Sequence, residues 1–145
     1  MPFNVSSSTP ADLRIQAFGY ESEPLSLPTS LAAPALFTAD GSGKGQAAAV
    51  SQDGTSNSVA NPASAGSIVT VYGTGFGATT PISNDGELTG SDLHVIALPV
   101  RVAVDGKATK VTYAGSAPGL VAGVSQINFH FRFRAAWSPA RRWLS

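Results

Sequence analysis

The chain has 145 residues, 43% of them hydrophobic and only 12% charged, with nine Lys and Arg balancing nine Asp and Glu. That length accommodates one domain with a sizeable core, and the cancelled charge leaves nothing to draw the whole chain to nucleic acid or an anionic membrane. The absence of cysteine removes disulfides, thiolate metal sites and a cysteine nucleophile, and no apolar stretch approaches the ~20 residues of a membrane-spanning helix.

Met1 to Pro10 is polar and has the composition of a mobile end. Met1 to Ser30 has neither the basic start nor the apolar run of a signal peptide. Leu13 to Phe18 alternates apolar with polar residues and predicts a strand, followed by Gly19 and the acids Glu21 and Glu23. Pro24, Pro28 and Pro34 space out an extended segment, because each lacks an amide donor and disfavours helix at the residue before it. After the small apolar plug Ala35 to Phe37, Asp40-Gly-Ser-Gly-Lys-Gly45 predicts a turn and Gln46 to Val50 a short strand. Ser51 to Asn57 and Asn61-Pro62 are further turns.

The most informative stretch is Gly66-Ser-Ile-Val-Thr-Val-Tyr-Gly-Thr-Gly-Phe-Gly77. Ile68, Thr70 and Tyr72 draw one face of a strand and Val69 and Val71 the other, so it reads as a strand inside a sandwich core. Gly73, Gly75 and Gly77 then mark a sharp bend or bulge. Ala78 to Gly90 is a polar loop, and Ile96 to Val104 a strand with Val100, Val102 and Val104 on one face. Asp105-Gly106 is a favoured hairpin signal, with Ala108 to Tyr113 as the returning strand. Gly115 to Gly119 turns the chain again. Val124 to Phe133 alternates clearly, with Ile127, Phe129, Phe131 and Phe133 against Asn128, His130 and Arg132. About seven short strands, turn signals every ~8–12 residues and no sustained helical period predict an all-β sandwich.

Gly66 to Gly77 resembles the strand and Gly-X-Gly-Phe-Gly turn of IPT/TIG immunoglobulin-like domains. More of the chain, about Leu31 to Phe129, resembles a module near the carboxy termini of large secreted bacterial proteins. The similarity rests on Ala33 to Ala49, Asn61-Pro62, the glycine motif, Val100 to Asp105, and Tyr113 to Gly123 leading into Gln126-Ile-Asn-Phe129. The resemblance implies an immunoglobulin-like sandwich over residues 31–129, outside the cell or on its surface, with a role as spacer or adhesive unit. Leu13 to Pro28 resembles the closing strands of a preceding module, which makes residues 1–30 a mobile start with a strand remnant. After Phe129 the expected Pro-Gly-rich loop and last strand give way to His130 to Ser145, an atypical tail that reads like another frame or a vector-derived end. A sandwich without its last strand exposes an edge, and Leu13 to Phe18 could fill it in its own chain or a second copy. A homodimer or larger oligomer built by strand exchange is therefore expected.

Candidate chemistry is sparse. His94 and His130 are the only histidines; as a pair they could bind metal or act as bases, but two solvent-facing residues is the preferred account. No Gly-x-Ser-x-Gly elbow occurs, and a triad from Ser116, His130 and Asp105 has no support in spacing. Glu21, Glu23, Asp85, Glu87 and Asp92 are candidates for a glycosidase carboxylate pair, set among turn residues. Asp40 to Gly45 fails as a calcium loop because Lys44 replaces an oxygen donor, and as a phosphate loop because the Gly-Lys-Ser/Thr ending is missing. Asp53, Thr55 and Asn57 make a somewhat better oxygen cluster for weak calcium binding. Arg132, Arg134, Arg141 and Arg142 with Trp137 and Trp143 have the basic-aromatic mixture of single-strand nucleic-acid binders, yet no other part of the chain offers a matching surface. The expectation is a non-catalytic structural or adhesive module making protein or carbohydrate contacts, with no assigned catalytic, cofactor or metal residue. A small hydrolase of glycosides or esters, working in a cleft or between subunits, is the alternative.

Overall fold

The structure, a computed structural model, describes residues 9–132. The tail residues Phe133, Arg134, Trp137, Arg141, Arg142 and Trp143, and the polar start before Thr9, lie outside the described residues. Among the described residues there is no helix; the chain is all-β and its strands pair antiparallel.

Two strands make the spine of the molecule. The alternating run after Gly66 becomes β7 (Ile68–Thr74), and the alternation after Val124 becomes β13 (Ser125–His130). They pair in register from Ser125 opposite Gly73 to His130 opposite Ile68. A period of two puts Val69, Val71, Ile127 and Phe129 on one face, where all four are buried. Around this pair the main sheet runs β5 (Ala35–Leu36), β7, β13, β12 (Val111–Ser116), β9 (Val95–Ile96), β8 (Thr79–Thr80). β6 (Ala49–Ser51) shares the β5 side of β7, one turn further along. The second layer is narrow. A hairpin of β10 (Val102–Val104) and β11 (Lys107–Thr109) brings Val104 to 3% exposure, with Phe76, Leu98, Val100 and Val102 packing beside it. No large side chain among the described residues falls below 2% exposure, because only one face of the main sheet is closed.

Asp105-Gly106 forms the expected two-residue turn, with φ of 52° and 72°. The returning strand, however, stops at Thr109; from Val111 the chain leaves for the main sheet and pairs with β13. The single strand expected over Ile96 to Val104 is two pieces, since Pro99 interrupts the ladder between β9 and β10. The strand expected over Gln46 to Val50 begins as one bridge, Thr38 to Ala47, before β6.

The glycine row has a specific job. A Cβ on Gly73 would collide with the Ala35 carbonyl oxygen, and one on Gly75 with that of Ala33. On Gly77 it would stand 2.7 Å from the Leu31 carbonyl oxygen. The segment from Leu31 to Leu36 is laid directly over the row, held by Ala33 N donating to Gly75 O (2.8 Å) and Phe37 N to Tyr72 O (2.9 Å).

The N-terminal segment differs from expectation most. Leu13 to Phe18 is split between β1 (Ala11–Leu13) and β2 (Gln16–Ala17), which pair with β4 (Leu25–Leu27) and β3 (Tyr20–Glu21) respectively. Together they form one hairpin turning at Phe18-Gly19, continued through Ser22 N to Ile15 O (2.9 Å) and tied at its base by Thr29 Oγ1 to Thr9 O (2.8 Å). Its strands pair with one another and not with the main sheet. Nor does β13 offer the expected vacant edge, because β7 and β12 occupy its two sides.

Candidate functional site

Polar groups converge most closely between the β8–β9 connection and β12. Ser116 is buried, and its hydroxyl accepts the His94 amide (3.0 Å) while its own amide donates to His94 O (2.7 Å). This close approach requires Gly115, since a Cβ there would strike the His94 carbonyl oxygen. The imidazole is thereby delivered to Ser83, whose hydroxyl lies 2.8 Å from His94 Nδ1. Ser83 is itself buried, with Thr79 Oγ1 3.0 Å away on β8. Thr79, Ser83 and His94 thus form a chain of side-chain hydrogen bonds that leaves Nε2 as the imidazole nitrogen without a bond among the described residues.

His94 and Ser83 line a hollow of about 250 Å³ that also reaches Glu87, Asp92 and Ala122. Its rim is pinned to the neighbouring loop by Ala122 N to Glu87 O (2.7 Å) and Thr89 N to Leu120 O (2.9 Å). Glu87 is exposed, and its Oε2 accepts from Asn84 Nδ2 at 2.8 Å. Ser83 is enclosed by its partners and holds the ring; in the tautomer whose Nδ1–H donates to the Ser83 hydroxyl, Nε2 is the basic nitrogen of the imidazole.

The other sequence candidates are dispersed. Ser116 sits opposite Ser125, and His130 lies five residues, about 17 Å, further along β13, so Ser116, His130 and Asp105 do not meet. Asp105 is the hairpin turn residue. The two histidines are neither paired nor fully solvent-facing. His94 is half-buried and bonded; His130 is half-buried beside Ile68 on the outer face of the sheet. Glu21 pairs with Arg14 at 2.6 Å on the N-terminal hairpin, and Glu23 and Asp85 are exposed. Asp53 Oδ1 accepts the Thr55 hydroxyl (2.7 Å) and amide (3.0 Å), holding its carboxyl below the ordinary range. The Asn57 main chain is tied elsewhere, its carbonyl accepting from Gln46 Nε2 (2.6 Å) and its amide donating to Ala49 O (2.8 Å), so Asp53 and Thr55 lock their turn between themselves. Asp40 does the same with Ser42, whose hydroxyl and amide lower its pKa together with the Thr38 hydroxyl. Among the described residues no three His, Asp or Glu side chains gather as a metal site.

Two features escaped the sequence reading. The Ser83–His94 contact joins residues eleven apart through a fold-dependent loop, and no local signal marks it. Phe18 occupies a turn position with φ of 52° while being fully exposed (101%). A bulky residue in this left-handed region is a conformational outlier. No protein-family model matches the chain, and no curated protein or solved structure matches it.

Proposed function

We propose that the chain is a structural or adhesive module of an exported bacterial protein, acting by contact and not by catalysis. The carrying observation is the N-terminal hairpin. Leu13, Ile15, Phe18, Tyr20, Leu25 and Leu27 are all exposed, on a two-stranded ribbon whose sides are unpaired among the described residues. An isolated hairpin of this size is marginal in water, and a partner surface supplies what it lacks. Phe18 adds to the argument: its backbone conformation costs about 1 kcal/mol or more, without an intramolecular contact in return. The partner favoured is a second copy, with strands of one hairpin adding to the other and apolar side chains closing the faces. The resemblance of residues 31–129 to secreted immunoglobulin-like modules supports the setting. Light scattering of the full chain should give a dimer or larger species, and Phe18→Asn, which suits the turn, should give a monomer of unchanged fold. A wild-type monomer, or an oligomer indifferent to both this change and removal of the hairpin, sinks the reading.

A second reading comes from the hollow. His94, steadied by Ser83, would act through Nε2 as base for a water attacking an ester or glycoside held beside Glu87 and Asp92. Turnover of chromogenic esters or glycosides that His94→Gln abolishes would establish it; inert wild-type protein would remove it.

A further inference from the structure

We infer that the outer face of the main sheet is a binding strip for a neutral glycan chain laid across the strands, which deepens the adhesive reading and rests on it only for biological setting. The pairing registers place Tyr72 opposite Gln126, and Gln126 opposite Gly115. Phe37 extends this row past Tyr72, its amide bonded to Tyr72 O, and Val95 extends it past Gly115. Thr70, Asn128 and Tyr113 form the next row. These residues lie on the face opposite buried Val69, Val71, Ile127 and Phe129, and none packs into the core. Phe37 and Val95 are exposed, Thr70, Tyr72, Tyr113, Gln126 and Asn128 half-buried, and Gly115 buried.

The geometry of Tyr113 gives the strip its character. Its hydroxyl donates to Ser116 O (2.7 Å) and stands 2.6 Å from where a Gly115 Cβ would be. The ring is therefore laid along the sheet over Gly115, in the same row as Tyr72 and two strands away, about 10 Å. Between the two rings stand amides that are only partly used. Asn128 Oδ1 accepts from both Thr70 Oγ1 and Gln126 Nε2, at 3.0 Å each. Asn128 Nδ2 and Gln126 Oε1 consequently have no hydrogen-bond partner among the described residues, and point to a ligand offering both donors and acceptors. Pyranose rings supply apolar C–H faces for stacking on the tyrosines and hydroxyls for the amides. The two rows carry no Lys, Arg, Asp or Glu, which matches an uncharged chain and disfavours an acidic one.

The test is calorimetric titration of the full chain with cellohexaose, xylohexaose and mannohexaose, alongside polygalacturonate. At least one neutral oligosaccharide should bind, and Tyr72→Ala and Gln126→Ala should each weaken it about tenfold or more. Gln126→Ala keeps the test meaningful if Tyr72→Ala fails to fold. Phe18→Asn should leave glycan binding intact while dissociating the oligomer, so failure of the strip and failure of the hairpin reading are told apart. The strip is overturned by no heat with any neutral sugar, by binding that ignores both face substitutions, by preference for polygalacturonate, or by face variants that change only self-association.

Discussion

Gly75 and Gly43 share a positive φ, of 80° and 73°, yet their surroundings differ completely. A Cβ on Gly43 meets nothing within 4 Å, so Gly43→Ala should cost about 1 kcal/mol, the backbone term alone. On Gly75 the Cβ would meet the Ala33 carbonyl as well, and Gly75→Ala should cost about 2 kcal/mol or more in denaturant unfolding. The alternation of Gly73, Gly75 and Gly77 announced a bend in sequence; that a neighbouring segment would be laid on it was not legible, because the partner lies some forty residues earlier. Asp53 carries a different residue-scale expectation. Hydrogen bonds from Thr55 hold its folded pKa below the ordinary 3.8. Their contribution is therefore complete above that value and is lost as pH falls through the lower, folded value. Melting followed from neutral pH to about pH 2 should show the gap between wild type and Asp53→Ala shrinking in the acid range.

Elements were most legible where period two and turn chemistry agree. β7, β13 and the Asp105-Gly106 turn satisfy that condition, and their centre should be unforgiving: Phe129→Ala, from 4% exposure, should cost about 3–5 kcal/mol by chemical denaturation. Where local signals conflicted, strand limits moved. Pro99 divides an apolar run that looks continuous, and Lys110 separates β11 from β12, so the returning strand serves two sheets. The N-terminal hairpin was hidden for another reason. A tight turn of this type favours Asn or Gly at its first central position, and Phe18 gives no such cue. Phe18→Asn should accordingly hold or raise the melting temperature of the chain while abolishing the association proposed for the hairpin.

At the scale of the whole molecule, the asymmetry of the layers organises everything else. One broad sheet is covered on its inner side by a two-stranded hairpin and stays half-open on the other. The all-β class followed from strand spacing, whereas the assembled candidate sites did not, since both depend on pairings between distant segments. Outer-face membership was partly visible, because Asn128 and His130 alternate with Ile127 and Phe129. The flat placement of Tyr113 was not, because it depends on the Gly115 neighbourhood. A neutral strip also predicts weak ionic-strength dependence: raising sodium chloride from about 50 to 500 mM should leave oligosaccharide affinity within a factor of two. A steep loss with salt would point to charged groups instead.

The main sheet terminates on flanks of two or three residues, β8 on one side and β5 with β6 on the other. Such brief borders give a neighbouring molecule few backbone groups to zip onto, so sideways growth into a fibre has little purchase. If copies join through their N-terminal hairpins as proposed, each chain brings a single such ribbon, so the assembly closes on itself at a small number of copies and the main sheets stay outside the contact.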